Sequence, residues 1–86
     1  MSDIYYCYLF RCKDGSLYAG STTDLKKREQ VHNSGKGSVY VRSRGGGFLV
    51  YFEQCATWSA ALQREAAIKR MSKLAKERLV LKKPKK

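Results

Sequence analysis

A chain of 86 residues encloses one hydrophobic core at most, and its 43% apolar and 12% aromatic content excludes global disorder. Eighteen Lys and Arg against seven Asp and Glu leave a formal charge of +11, which favours a polyanionic partner through counter-ion release and steering, although a solubilising surface would also account for it. Half of these cations lie between Lys69 and Lys86, opposed only by Glu77.

No run of about 18 apolar residues and no signal-peptide pattern occurs, so the expectation is a soluble, cytoplasmic protein with no membrane partner. The cysteines Cys7, Cys12 and Cys55 are odd in number and sit in apolar, strand-like stretches. They read as small buried hydrophobes, and with His32 they are too widely spaced for a zinc site.

In chain order, Ile4 to Cys12 is dense in aromatics and too continuously apolar for a strand with one wet face. It reads as a central strand covered on both sides. Lys13-Asp14-Gly15 signals a hairpin, with Ser16 to Ser21 returning. Thr22, Thr23 and Asp24 supply helix-start chemistry for a first helix reaching about His32, which Asn33-Ser34-Gly35 ends. Lys36 to Gly47 is polar, basic and glycine-rich, hence a loop, with Tyr40 and Val41 as anchors. Phe48 to Cys55 reads as a third strand, Trp58 to Arg70 as a second helix with its start signal at Thr57 or Ser59, and Ser72 to Leu81 as a third helix, with Ser72 as its N-cap, ending before Pro84. The order β-β-α-β-α-α predicts an α+β domain over residues 1–81, a small, mostly antiparallel three-stranded sheet flanked by helices, with a basic tail at 82–86.

Several residues stand out against this frame. At helical spacing Trp58, Ala61, Leu62 and Ile68 share one face of the second helix, and Glu65 falls among them. An inward carboxylate is costly unless it is paired or holds a cation. Glu65 is therefore either half of an ion pair with Arg28 or another cation, or a metal ligand or catalytic acid. Arg28 and His32, one turn apart on the first helix, stack beside Leu25 on the side expected to face the sheet. Arg suits a phosphate because its planar fork donates two parallel hydrogen bonds, and His passes protons near neutral pH. Tyr8 and Tyr18 share a face of the hairpin only if its loop has three residues, with Gly15 left-handed, Phe10 opposite Tyr18 and Tyr8 opposite Gly20. A two-residue loop separates them. A shared site requires the three-residue loop.

Tyr6-Cys7-Tyr8 followed by Tyr18-Ala19-Gly20, with Arg28, His32 and Glu65 in order behind them, resembles the GIY-YIG nuclease superfamily. The elements Asp14 to Tyr18, Thr22 to Leu25 and His32 to Gly37 are most similar to its small stand-alone bacterial branch. Tyr6, Cys7 and Ala19 replace the usual Gly, Ile and Ile, and the third helix lacks the Asn found in many relatives. The resemblance implies hydrolysis of DNA by a metal-dependent endonuclease of low sequence specificity, with a role in DNA repair or recombination. Glu65 and waters would hold one Mg²⁺ or Mn²⁺, Arg28 would neutralise phosphate charge, and Tyr8 or Tyr18, assisted by His32, would orient or deprotonate the attacking water. Around that site Lys36, Arg42, Arg44, Arg64 and Lys69 are expected to contact the DNA backbone. The alternative is a nucleic-acid-binding module of this fold with weak or lost catalysis.

Overall fold

The structure, a computed structural model, describes residues 4–33 and 46–82, with only the backbone of residues 32 and 33. Three antiparallel strands, β1 (Tyr5–Cys12), β2 (Leu17–Thr22) and β3 (Gly47–Cys55), lie in the order β2-β1-β3. The aromatic strand β1 is central, as its continuous apolar run predicts. Helix α1 (Leu25–Asn33) follows β2, and α2 (Trp58–Lys69) and α3 (Lys73–Lys82) follow β3. The loop expected over Lys36 to Gly47 falls mostly outside the described residues, including its anchors Tyr40 and Val41. Among those described, no helix is long and apolar enough to cross a membrane.

The hairpin turn decides the faces of the sheet. Gly15 has φ 91°, its N–H donates to Cys12 O at 2.9 Å, and Cys12 N–H donates to Ser16 O at 2.9 Å. Nothing lies within 4 Å of where a Cβ would stand on Gly15, so the positive φ alone asks for glycine. Asp14 closes the turn by accepting from Ser16 N–H at 3.0 Å and from the Ser16 hydroxyl at 2.6 Å. This is the three-residue loop, and it pairs Phe10 with Tyr18 and Tyr8 with Gly20. Both tyrosines therefore share one face.

On that face Tyr8, Phe10 and Cys12 are buried, with Tyr18, Leu25, Leu49 and Phe52 packed against them. On the other, Cys7, Leu9, Leu17, Ala19 and Tyr51 meet Ile68 of α2 and Leu79 of α3. A bulge between Leu9 and Phe10 pairs them with Tyr51 and Leu49 and skips Val50. Val50 and Tyr51 consequently both pack on the second face although they are adjacent in sequence.

Each helix start is capped as the sequence suggests. Asp24 accepts from Lys27 N–H at 3.0 Å, Thr57 from Ala60 N–H at 3.0 Å, and Ser72 from Ala75 N–H at 3.1 Å. α3 ends at Lys82, one residue into the stretch expected to be a tail. Two forked ion pairs fasten the helices. Arg11 donates to both Glu77 oxygens at 2.6 Å, joining β1 to α3 and drawing the Glu77 carboxyl down to about 2. Arg64 donates to both Glu53 oxygens at 2.7 and 2.9 Å, joining α2 to β3, and the Tyr51 hydroxyl donates to the same carboxylate. Burial pushes the Glu53 carboxyl up, but these hydrogen bonds outweigh it and hold it below the ordinary range.

One expectation needs correcting. Of the apolar positions on α2, only Ala61 and Ile68 are buried, while Trp58 and Leu62 are 42% and 45% exposed. α2 lies across β2 and β1 and touches β3, and Trp58 and Leu62 fall outside the stripe that these strands cover. Glu65 lies at the border of the buried stripe rather than in its middle, with a side chain 19% exposed.

Candidate active site

The site assembles where β2 meets material from both faces of the sheet. From the first face, the Tyr8 side chain crosses Gly20. A Cβ on Gly20 would lie 2.6 Å from the ring carbon Cζ of Tyr8 and collide with its hydroxyl. The missing side chain at residue 20 is the space that the phenol fills. Tyr8 is 2% exposed, and burial, chiefly, raises its pKa well above that of an ordinary phenol. The Arg28 guanidinium pulls against this shift, while Tyr18 and Glu65 add to it. Three of the other four residues singled out as catalytic, Arg28, Tyr18 and Glu65, thus lie within electrostatic reach of Tyr8.

From the second face, Glu65 meets β2 at the next residue. The Ser21 hydroxyl donates to Glu65 Oε1 at 2.6 Å and also approaches Ala61 O at 3.3 Å. The other carboxylate oxygen, Oε2, holds the Lys69 ammonium at 2.8 Å. That ammonium also lies 5.9 Å from the centroid of the Tyr18 ring, within cation–π range. Glu65 is therefore paired with a cation, but with Lys69 one turn along its own helix rather than with Arg28. Lys69 carries a hydrogen bond that the sequence does not foretell.

Arg28 is half-buried on α1. It lines an open concavity of about 260 Å³ together with Thr22, Thr23, Asp24, Lys27 and Val31. Thr22 fixes this corner, since its hydroxyl accepts from Asp24 N–H at 3.1 Å, which starts the helix that carries Arg28. His32 falls in the last turn of α1, as its spacing predicts, but its side chain lies outside the described residues, as do Lys36, Arg42 and Arg44. Arg64 points to β3, where Glu53 engages its fork, and is not gathered with the tyrosines.

Sequence reasoning overlooked Ser21 and the space at Gly20. The glycine was visible as the end of the second motif, but its purpose depends on the register. Ser21 gave no signal of its own. Cys7 and Cys12 are buried thiols, and burial, chiefly, pushes the Cys7 thiol up to about 12.

Among the described residues, no group of three His, Cys, Asp or Glu side chains gathers to cage a metal ion. Glu65 alone still suits a hydrated dication, since Mg²⁺ keeps several waters and takes one or two carboxylates. A positive charge already rests on Oε2, so the carboxylate is oriented to receive one.

Comparison with known proteins places these residues in context. The model of the GIY-YIG catalytic domain matches residues 4–78. A UPF0213 protein of Haloquadratum walsbyi is 46% identical over 79 residues, covering 92% of this chain and 89% of its own. A UPF0213 protein of Bacillus pumilus is 47% identical over 73 residues, covering 85% and 74%. The solution NMR structure of a UPF0213 protein from Bacillus halodurans superposes with a TM-score of 0.56 at 42% identity, covering 90% of this chain and 82% of that one.

Proposed function

Because the chain belongs to the GIY-YIG family, a nuclease fold whose substrates are nucleic acids, we propose that it is a metal-dependent DNA endonuclease of low sequence specificity serving cytoplasmic DNA repair or recombination. Residues 1–81 form the nuclease domain in this reading, with 82–86 as a basic tail.

One observation carries it. The Tyr8 phenol and the Glu65 carboxylate meet β2 at consecutive residues, Gly20 and Ser21, one from each face of the sheet. An orienting hydroxyl and a cation-binding group then flank the same short length of backbone, with Arg28 within electrostatic reach of the phenol.

The residues divide the work according to their surroundings. Glu65 and waters would hold one Mg²⁺ or Mn²⁺, and the ion would supply a Lewis acid for the scissile phosphate and the leaving oxygen. Arg28 presents its fork to the phosphate oxygens, whose charge grows in the transition state. Tyr8, with its ionisation opposed by burial, stays a neutral hydroxyl that orients. Tyr18 is half-buried and takes the part of relaying a proton: it hands its own hydroxyl proton to His32 as it receives one from the attacking water. Lys36, Arg42, Arg44 and Lys69 position the DNA backbone. Arg64 joins them only by releasing Glu53.

The purified protein should nick supercoiled DNA with Mg²⁺ or Mn²⁺ and stop on addition of chelator. Glu65→Ala should bind DNA but not cut it. Equal trace cutting by wild type and Glu65→Ala overturns the enzyme reading. It would favour a nucleic-acid-binding module of the same fold, a reading to which the Ser21 and Lys69 contacts on both Glu65 oxygens lend support.

A further inference from the structure

Resting on the reading of Glu65 as the metal-holding carboxylate, we infer that Lys69 is its exchangeable counter-ion: a divalent ion displaces the ammonium from Oε2 and releases Lys69 to a phosphate of the incoming DNA.

The two Glu65 oxygens are held unequally. Oε1 is fixed from the sheet by the Ser21 hydroxyl at 2.6 Å, so the carboxylate cannot turn away when its partner leaves. Oε2 is held by Lys69 at 2.8 Å, and here the lysine is the movable half, with a side chain 51% exposed against 19% for Glu65. An ion pair between residues four apart on a solvated helix is weak, and its geometry constrains a long, flexible side chain. A dication at the same oxygen brings twice the charge and repels the ammonium beside it. Repulsion between the two cations makes occupancy of Oε2 by one disfavour the other.

The released ammonium does not have far to go. It already stands 5.9 Å from the Tyr18 ring centroid, so a rotation about its stem keeps it beside the phenol proposed to meet the attacking water. Without metal, Glu65 occupies Lys69 and the protein is one phosphate contact short. With metal, the contact is restored. By linkage, DNA that engages Lys69 strengthens metal binding by the same factor that metal strengthens DNA binding through Lys69.

Lys69→Met keeps most of the aliphatic stem and removes the charge. Mn²⁺ binding, followed by the EPR signal of the free ion, should tighten about three- to tenfold in Lys69→Met. Lys73→Met, which removes a lysine held by Gly15 O and Glu77, should change it by less than about twofold. In chelator, Glu65→Gln should bind DNA more tightly than wild type, and that gain should vanish in Glu65→Gln/Lys69→Met. Thermal melts establish that each variant is folded.

Glu65-dependent Mn²⁺ binding that Lys69→Met leaves unchanged or weakens overturns the exchange and leaves the metal reading standing. A gain in DNA binding that survives in the double variant overturns the phosphate half. If neither wild type nor Lys69→Met binds Mn²⁺ through Glu65, the metal reading fails and the exchange with it.

Discussion

The Tyr8 phenol lies across Gly20 of the neighbouring strand, in the volume that any side chain on residue 20 would need. The demand is for space on a buried surface, and it makes Gly20 part of the machinery that positions Tyr8. Gly20→Ala should push the phenol aside, costing about 1–3 kcal/mol through overpacking. Cutting should fall by roughly 100-fold or more, because small displacements of catalytic groups are expensive. Urea unfolding and a nicking assay on the folded protein measure the two effects. Unaltered cutting would show that the position of Tyr8 is immaterial.

Tyr8 also has a signature in alkali. Burial raises its pKa above the ordinary 10, with Arg28 only partly offsetting the rise. Its folded pKa therefore exceeds its unfolded one, so the stabilisation is complete below about pH 10 and is lost as pH climbs beyond it. Tyr51 is likewise raised, by burial and its hydrogen bond to Glu53, to about 12, so spectrophotometric titration should show two late phenols, of which Tyr8→Phe removes the one that ionises last. The same substitution should lower the cutting rate without moving the pH–rate profile at neutral pH, since the Tyr8 proton is not the one in play there. A shift of that profile would return the role of base to Tyr8.

The bidentate Arg11–Glu77 pair is a clasp between the hairpin and α3, and it responds to acid. Arg11's hydrogen bonds, before all else, hold the Glu77 carboxyl at about 2 against 4.5 for an unperturbed glutamate. The stability it contributes is present above pH 4.5 and is lost as pH falls toward 2. The Glu77 side chain is 31% exposed, so solvent screening reduces the contribution to about 1 kcal/mol. Glu77→Gln should lower the melting temperature at pH 7, with the difference from wild type shrinking below pH 4. A constant difference across that range would exclude the ion pair as its source.

How much of this was legible beforehand follows from the range of each interaction. The hairpin, the caps and the helix limits depend on neighbours in sequence, so Asp14-Gly15, Asp24, Thr57 and Ser72 announced them. The register followed from asking Tyr8 and Tyr18 to share a face, and the observed pairing of Tyr8 with Gly20 agrees. The periodicity of α2 showed which residues share its face but not how far the sheet extends beneath them. Trp58 and Leu62 accordingly came out half-exposed, with Glu65 at the border. Partner choice was least legible. Arg64, Lys69 and Glu65 are charges whose mates depend on packing, and a linear pattern cannot distinguish a cation awaiting phosphate from one already held by a carboxylate.

Arg64 provides the sharpest test of that distinction. Its fork holds Glu53 at 2.7 and 2.9 Å, and the Tyr51 hydroxyl shares the carboxylate. Removing the guanidinium leaves a carboxylate, only 24% exposed, without its cation. An exposed pair contributes little and a buried one costs several kcal/mol to break, so this half-buried pair belongs between them, at about 1–2 kcal/mol. Arg64→Ala should therefore destabilise the fold by that amount while changing DNA affinity, measured well below the melting temperature, by less than about twofold. Arg28→Ala should do the reverse, sparing stability and abolishing cutting. If Arg64→Ala instead weakens DNA binding and flattens its salt dependence, then Arg64 exchanges Glu53 for a phosphate when DNA arrives, and the ion pair on β3 is a resting state rather than a fastening.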